Sequence, residues 1–352
     1  MNLLITGNMG YIGPPVVKHL RTSQPGATLI GYDMGYFASQ LTRVDMLPEC
    51  HLDRQYFADV RNFPEELLNG VDVIVYLAAL SNDPIGNKYE AVTLNINYRS
   101  VVTMAIKAKA AGVRSFVFAS SCSTYGFSEE QAMTESSPLN PLTAYAKSKV
   151  YTERELEHLA SDDFRITCLR FSTACGMSER LRLDLVLNDF VASAVASGKI
   201  TILSDGTPWR PLIHINDMAR AIGWGIERPI SAGGPFLVVN VGKNEWNYQV
   251  RDLAEAVARI IPGTNISINK DAPPDKRSYR VNFDLFRSLA PDHQPRHDLD
   301  STIQELRDGL EAMAFREQNF RNTKFMRLKI IDSLRNQGRL DEQLRWTFRA
   351  KS

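Results

Sequence analysis

Leu3-Leu4-Ile5 runs straight into Thr6-Gly7-Asn8-Met9-Gly10-Tyr11-Ile12-Gly13, and this short stretch decides the fold. An apolar strand precedes three glycines that have separate tasks. The first makes a tight turn, the second lets the backbone approach a phosphate, and the third lets helix and strand pack closely. Pro14 and Pro15 suit the first positions of a helix, where a missing N–H is harmless. The unpaired N–H groups at that helix start would hold a dinucleotide pyrophosphate. We therefore predict that residues 7–13 bind a dinucleotide.

The first half of the chain repeats this strand-then-helix rhythm, which indicates a parallel sheet. We predict strands at 2–6, 28–32, 55–58, 71–77, 115–119 and 166–171, and helices at 14–22, 97–111 and 144–160. From about residue 178 the elements become shorter and are separated by Gly/Pro turns. The expected fold is α/β: a Rossmann-type doubly wound parallel sheet with a smaller α/β substrate-binding lobe. Its expected parts are 1–177, a partly interleaved lobe at 178–300, and a helical tail at 301–352.

Bulk composition restricts the partners. The 352 residues carry a net charge of +1, which gives no reason to expect nucleic acid or a membrane surface as a partner. No apolar run is long enough to span a membrane, and the N-terminal strand leaves no room for a signal peptide. The four cysteines lack CxxC or Cys/His spacing, which argues against a metal site or a disulfide framework. We expect a cytoplasmic protein without a metal.

A second motif, Tyr145-Ala146-Lys147-Ser148-Lys149, lies in the third predicted helix. A tyrosine with its solution pKa of about 10 is a poor base at neutral pH. Lys149 shares the helix face of Tyr145 because it comes four residues later, and its charge would favour the phenolate. A phenol beside an ammonium is a common way to move a proton next to a nicotinamide.

The two motifs together, in this order, resemble the extended short-chain dehydrogenase/reductase family, in its NAD-dependent nucleotide-sugar epimerase/dehydratase group. The resemblance covers roughly residues 1–290 and is strongest up to 176. It implies an NAD-dependent enzyme whose catalytic residues are Ser121, Tyr145 and Lys149. In this family the serine hydrogen-bonds the reacting sugar oxygen.

The cofactor half also has a selectivity signal. Asp33 ends the second strand, where a carboxylate accepts hydrogen bonds from the adenosine ribose and repels a 2′-phosphate, so NAD is favoured over NADP. The resemblance adds further cofactor-binding or supporting positions: Asp59, Val60, Leu77, Ala78, Ala79 and Asn97.

The resemblance also implies a substrate site for a nucleotide-diphosphate sugar. Arg210 matches the arginine that clamps the diphosphate, for which a planar bidentate donor is well suited. The other predicted substrate contacts are Ser121, Cys122, Ser123, Thr173, Asn188 and Arg277. The run Arg170-Phe171-Ser172-Thr173 departs from the Tyr-Phe-Asn-like run of many members.

The reaction is inferred from the residues directly after Ser121. Sugar dehydratases of the family place Asp-Glu there, and decarboxylases a Glu two residues on, whereas this chain has Cys122-Ser123. The resemblance therefore favours a 4-epimerase, which needs only C4 oxidation to a 4-keto sugar and hydride return. The alternatives are a C3/C5-epimerase that uses the Cys122 thiol, a 4,6-dehydratase, a 4-ketoreductase and a non-catalytic NAD-binding regulator.

The family resemblance further implies a homodimer through a four-helix bundle made by the helices at 97–111 and 144–160. We expect its apolar face to consist of Val101, Val102, Ala105, Ala108, Val150 and Leu156. For the tail, the expected role is packing or dimerisation.

Overall fold

A computed structural model describes residues 1–42, 44–128, 131–269 and 278–347. The strands are β1 Asn2–Thr6, β2 Thr28–Asp33, β3 Arg54–Phe57, β4 Val73–Tyr76, β5 Ser115–Ser121, β6 Arg165–Phe171, β7 Thr173–Cys175, β8 Lys199–Ile202, β9 Trp209–His214, β10 Phe236–Val241, β11 Asn247–Gln249 and β12 Asn265–Ile268. The α-helices are α1 Gly13–Ser23, α2 Asp83–Lys88, α3 Glu90–Leu94, α4 Ser100–Ala110, α5 Ala144–Leu159, α6 Val186–Ser197, α7 Ile215–Glu227, α8 Val250–Ile260, α9 Asp284–Leu289, α10 Leu299–Ala312 and α11 Arg327–Asn336. A π-helical segment, Asn95–Arg99, leads into α4.

Seven parallel strands form the main sheet in the order β10-β6-β5-β4-β1-β2-β3, so the predicted doubly wound fold is confirmed. β1 lies in the middle and pairs with β2 on one side and β4 on the other, through Leu3↔Leu29 and Leu3↔Val73. The chain reverses its direction of winding at β1, and such a switch point opens a crevice at the carboxyl ends of the strands. All six predicted strands are present. β10 is a seventh that the sequence analysis did not predict.

Side chains point alternately to the two faces of the sheet along each strand, and they fill a hydrophobic core on each face. Leu3 and Ile5 pack into a first core beneath α1, α6, α7, α8 and α10. Leu4 and Ile74 point the opposite way, into a second core beneath α4, α5 and α11. Successive side chains of a strand face opposite sides, and both faces of the sheet are covered, which explains why β4 and the centre of β1, Leu3-Leu4-Ile5, are apolar without alternation.

The smaller lobe is built over the carboxyl ends of the strands. It contains a three-stranded sheet in the order β11-β9-β7 and the parallel pair β12-β8. Within the range 178–300 that we assigned to this lobe, β10 joins the main sheet and α7 packs on α1. The division at 177 and 300 stays a prediction.

The tail belongs to both cores. Ile303, Leu306 and Leu310 of α10 are fully buried in the first core, and Ile331 and Leu334 of α11 are buried in the second. In the described part of the chain, no helix is long and apolar enough to cross a bilayer.

The apolar face that we predicted for dimerisation is used inside the chain. Val101, Ala105, Ala108, Val150 and Leu156 are all at most 2% exposed in the single chain. These five residues are buried within the chain and leave no apolar surface for a second copy, whereas Val102, the sixth residue of the predicted face, is partly exposed.

Candidate active site

A cavity of about 1010 Å³ opens at the switch point, where the carboxyl ends of β1, β4 and β5 meet the smaller lobe. Pockets for one small ligand measure roughly 300–1000 Å³. The cavity is therefore large enough for more than one small molecule. Its walls carry residues of the glycine-rich turn, of the segment after β4 (residues 77–84), of the start of α5 and of the lobe.

The glycine-rich turn is shaped by close backbone contacts. Gly7 has a φ of +75°, and a Cβ there would lie 2.5 Å from the backbone nitrogen of Ala78. A Cβ at Gly13 would lie 1.9 Å from the carbonyl oxygen of Asn8. Both positions therefore exclude any side chain, and Gly10 presents bare backbone to the cavity at the start of α1. This arrangement fits a pyrophosphate held by helix N–H groups.

Asp33 lies at the end of β2 on the cavity wall. Its carboxylate accepts hydrogen bonds from the N–H groups of Met9 at 3.1 Å and Gly35 at 2.7 Å. Burial raises the pKa of Asp33, against the lowering effect of these two hydrogen bonds. Each carboxylate oxygen has two lone pairs, so the group can still accept hydrogen bonds from ribose hydroxyls.

The other predicted cofactor residues occupy two layers. In the first, Tyr11, Ile12, Asp59, Val60, Leu77, Ala78 and Ala79 line the cavity. In the second, Asn8 and Met9 are buried behind the turn. Asn97 is also buried, and its side-chain amide accepts from the N–H of Leu80 at 2.8 Å and donates to its carbonyl at 3.0 Å. Asn97 thereby fixes the segment that comes after β4.

The three predicted catalytic side chains meet in this cavity. A hydrogen bond joins the side chains of Tyr145 and Ser121, which lies at the end of β5. Thr143 caps α5 by accepting from the N–H of Ala146, which places Tyr145 in the first turn. Lys149 lies one turn further, with Nζ 5.5 Å from the centre of the Tyr145 ring.

Burial dominates the protonation of this trio. It raises the pKa of Tyr145 to about 12, and the hydrogen bond from Ser121 opposes it. Burial also lowers the pKa of Lys149 to about 8, while the charge of Glu153 opposes that shift. Our expectation that Lys149 brings the pKa of Tyr145 down is not met, because burial has the larger effect. The Lys149 ammonium instead donates to the carbonyl of Ala119 at 2.7 Å.

Beneath the trio lies a buried polar network that the sequence analysis missed. Arg170 of β6 pairs with Glu153 of α5 through Nε and Nη2, the latter at 2.6 Å. Ser120 donates to the same carboxylate at 2.5 Å, and Arg170 also donates to the hydroxyl of Tyr125 at 3.0 Å. One signal was available: Tyr145, Lys149 and Glu153 recur every four residues, on one face of α5.

The structure brings some of the predicted substrate contacts to the cavity and leaves others away from it. Those that line the cavity are Ser121, Ser123, Thr173 and Arg210. Arg210 donates to the carbonyl of Trp209 at 2.8 Å. Arg277 lies outside the described residues.

Cys122 and Asn188 do not line the cavity, so direct substrate contact does not fit their placement. The Cys122 thiol donates to the carbonyl of Arg170 at 3.1 Å, and burial raises its pKa far above the usual range. The Asn188 amide donates to the Tyr11 hydroxyl and the Arg182 carbonyl and accepts from the N–H of Gly176. It thereby holds the lobe against the glycine-rich turn.

Charged residues that we did not predict also reach the cavity: Asp83, Arg182, Asp184, Asp189, Arg321 and Arg327. Asp184 is paired with Arg182 at 2.5 Å, and Asp189 with Arg321 at 2.5 Å. Asp83 accepts a hydrogen bond from the hydroxyl of Thr143 at 2.7 Å and acts electrostatically on Tyr145. Two of these arginines come from the tail, whose sequence carries no recognisable ligand motif.

Residues 3–242 match the model of the NAD dependent epimerase/dehydratase family. The chain belongs to this family. Among curated relatives, a UDP-glucose 4-epimerase of Lactobacillus helveticus is 25% identical over 240 residues, which cover 63% of this chain and 70% of the relative. A dTDP-glucose 4,6-dehydratase of Streptomyces griseus is 27% identical over 247 residues, which cover 68% and 73%. The structure of MoeE5 in complex with UDP-glucose and NAD matches with a TM-score of 0.75 at 22% identity, over 89% of this chain and 100% of that one.

These matches confirm the resemblance to the extended short-chain dehydrogenase/reductases that act on nucleotide sugars. The chain is thus an enzyme of an NAD-dependent family. Its relatives include both epimerases and dehydratases, at similar distance.

Proposed function

We propose that the protein is an NAD-dependent nucleotide-sugar epimerase that oxidises C4 of the sugar transiently and returns the hydride to the other face. The observation that carries this proposal is the meeting of Ser121, Tyr145 and Lys149 in one cavity with the glycine-rich turn. The segment after Ser121 offers the hydroxyl of Ser123 and no carboxylate. A proton relay beside a hydride acceptor is the chemistry that this set of groups supports best.

The cavity fits NAD. Its pyrophosphate suits the start of α1 at Gly10, and its adenosine ribose suits the carboxylate of Asp33, which would repel the 2′-phosphate of NADP. When bound, NAD supplies a reversible hydride acceptor. Leu77 and Ala78 present backbone and small side chains along the same wall, and Asn97 keeps that wall in place.

The protein's own part in the chemistry is to move one proton. Tyr145 takes the proton of the C4 hydroxyl and later gives it back, while Ser121 orients that oxygen. Lys149 would stabilise the tyrosinate once it forms, since its ammonium lies 5.5 Å from the phenol ring centre. Ser123, Thr173 and Arg210 offer the polar contacts for a nucleotide-diphosphate sugar. Named substrates of the relatives, UDP-glucose and dTDP-glucose, are the first two to try.

A second candidate is a 4,6-dehydratase, and the placement of Asp83 favours it. Its carboxylate lines the cavity close enough to Tyr145 to affect the pKa of the phenol. Elimination of water next to a 4-ketone needs such an acid/base group. Asp83 comes from the segment after β4, so the absence of Asp-Glu after Ser121 does not exclude this reaction.

Turnover of UDP-glucose and dTDP-glucose in deuterated water separates the candidates. A 4-epimerase gives an isomer of unchanged mass with no solvent deuterium at carbon. A product lighter by one water, lost in the Asp83→Asn variant, would establish the dehydratase instead. Deuterium at C3 or C5 without loss of water would indicate the C3/C5-epimerase. Binding of NAD without turnover of any nucleotide sugar in a broad panel would favour the regulator.

We further propose that the enzyme is a cytoplasmic homodimer that uses the outer surface of the same helices, which includes only Val102 of the face first expected. Ile106 and Tyr151 are 52% and 39% exposed on α4 and α5. Tyr98 contacts Tyr151 edge to face, with ring centres 5.7 Å apart, and Val102 lies partly exposed between Tyr98 and Ile106 along the helix. We call these four residues the outer stripe. They form an apolar strip on the two helices that the family resemblance assigns to the dimer.

A further inference from the structure

A buried arginine of the tail lines the cavity with part of its guanidinium unused. Arg327 is the first residue of α11 and only 2% exposed. Its Nη2 donates to the carbonyl of Arg180 at 2.7 Å, and its guanidinium lies 4.2 Å from the centre of the Phe37 ring. Its Nη1 is buried and has no hydrogen-bond partner among the described residues. Asp184, the carboxylate that acts on Arg327 electrostatically, is already paired with Arg182.

Arg182 repeats this pattern on the same cavity wall. It is 5% exposed, pairs with Asp184 through Nε and donates to the hydroxyl of Ser81 through Nη1 at 2.9 Å. Its Nη2 is buried without a partner in the described part of the chain. Each of these two buried guanidinium groups thus has one NH2 group without a hydrogen-bond partner among the described residues.

The neighbours of these arginines fix their place along the cavity. Ser178 donates to the carbonyl of Tyr11 at 2.8 Å, so the segment that leads to Arg182 lies against the glycine-rich turn. Arg327 packs on Phe37, just after Asp33, whereas Arg182 contacts Ser81, just after Ala79. The two guanidinium groups therefore lie between the carboxylate of Asp33, which is proposed to bind the ribose, and the segment after β4. The part of a dinucleotide that lies between its two nucleosides is the diphosphate.

We propose that Arg327 and Arg182 bind the cofactor diphosphate, from the side opposite the start of α1, and that the tail is therefore a working part of the cofactor site. This inference rests on the proposed binding of NAD. The sugar-nucleotide diphosphate is left to Arg210, which lies on the lobe strand β9.

Electrostatics gives the arginines a reason to seek an anion. Burial, together with the charges of Arg182 and Arg180, lowers the pKa of Arg327 to about 9 against the opposing charge of Asp184. A buried cation without a carboxylate partner is costly, and a diphosphate would satisfy it with charge-assisted hydrogen bonds. Cofactor binding should then relieve repulsion between these arginines and fix α11 against the sheet.

Calorimetric titration of the full-length protein, freed of bound nucleotide, tests the proposal with NAD, ADP, adenosine and UDP as probes. Arg327→Met should weaken NAD and ADP by about tenfold or more, as expected for a lost charge-assisted contact, and leave adenosine and UDP unchanged. Arg182→Met should act in the same way. Lys329→Met is the matched control, because it removes an exposed charge from the same helix and should change nothing.

Thermal unfolding provides a second readout. Without ligand, Arg327→Met should melt at or above the wild-type temperature because an unpaired buried charge is gone, but NAD should raise its Tm less than that of the wild type. Unchanged NAD affinity, equal loss for ADP and adenosine, or a loss confined to UDP would each overturn the proposal. Failure of the wild type to bind NAD would instead remove the proposed function itself.

Discussion

Tyr145 is subject to two opposing effects on its proton. Burial raises its pKa to about 12, and the hydrogen bond from Ser121 opposes this shift without cancelling it. A phenol with this pKa is protonated at neutral pH, so Tyr145 can give a proton directly but takes one only where a nearby positive charge favours the tyrosinate.

Replacing Tyr145 with Phe should lower kcat by about 10²–10⁴-fold, the usual range for a lost general acid/base. Binding of UDP and of NAD should stay close to wild type, because the ring that fills the pocket remains. Tyr151→Phe is the matched control, since Tyr151 lies on the same helix but 39% exposed on the outer surface. Retention of more than a few per cent of activity by the Tyr145 variant, measured as product formed per minute, would remove Tyr145 from the catalytic role.

At this scale, sequence patterns predict residues on regular elements better than residues at their ends. The pair Tyr145 and Lys149 was predicted from helical spacing, and the structure brings both to the cavity. Cys122 and Ser123 stand at the end of β5, where the strand passes into a 3₁₀ turn and alternation stops. Which of the two lines the cavity depends on that turn, so the sequence could not show that Ser123 does and Cys122 does not.

At the scale of elements, α5 carries both the catalytic pair and the group that adjusts it. Glu153, one turn beyond Lys149, opposes the loss of charge on that lysine and ties α5 to β5 and β6 through Ser120 and Arg170. A buried ion pair seldom adds much net stability, but loss of one partner is expensive because the other charge is stranded. We interpret the ion pair of Glu153 and Arg170 as the contact that positions α5, while the charge of Glu153 favours the protonated form of Lys149.

Glu153→Gln should shift the alkaline limb of kcat/KM to lower pH. Lys149 has a pKa of about 8 and loses its charge as pH rises through that value. Removing the Glu153 charge lowers this pKa further, so activity should fall at a lower pH than in the wild type. The variant should also be less stable, by roughly 3–5 kcal/mol, because Arg170 loses its partner. Glu157→Gln, on the exposed side of α5, serves as the control for the profile.

The pH profile of kcat/KM for Glu153→Gln should be recorded well below the melting temperature of the variant. If its alkaline limb is not shifted, the ion pair of Glu153 and Arg170 has a structural role alone. A shift towards higher pH would contradict the assignment of that limb to Lys149. Denaturant unfolding of the same samples separates the loss of stability from the change in the pH profile.

The elements that the sequence analysis missed are those joined by long-range pairing. Phe236–Val241 is apolar except for Asn240, but it lies within the range 178–300 that we assigned to the lobe. Its parallel register with β6, as in Val239↔Leu169, brings together residues far apart in sequence. The tail shows the same limit: its helical spacing was visible, whereas its place at the cavity depends on Arg327 and Phe37 meeting from opposite ends of the chain.

On the scale of the whole molecule, the tail contributes to both hydrophobic cores, which lie on opposite faces of the main sheet. Residues of α10 complete the first core and residues of α11 complete the second. Arg321 and Arg327 also line the cavity at the carboxyl ends of the strands. The packing of the tail on both cores therefore also shapes the proposed cofactor site.

The outer stripe gives the final prediction, which concerns the assembly. Ile106 and Val102 of α4, Tyr98 of the π-helical segment before it and Tyr151 of α5 stay partly exposed once the inner face is packed. We expect two copies to bury this stripe against each other and to elute with twice the chain mass of 39.6 kDa in size-exclusion chromatography with light scattering. Ile106→Arg should give monomers, because an unpaired charge buried in an apolar interface is costly to desolvate. Phe57→Arg, a control on the edge strand β3 at a residue 66% exposed, should remain dimeric. A wild type of single-chain mass at micromolar concentration would disprove the dimer, and a dimeric Ile106→Arg would place its interface elsewhere.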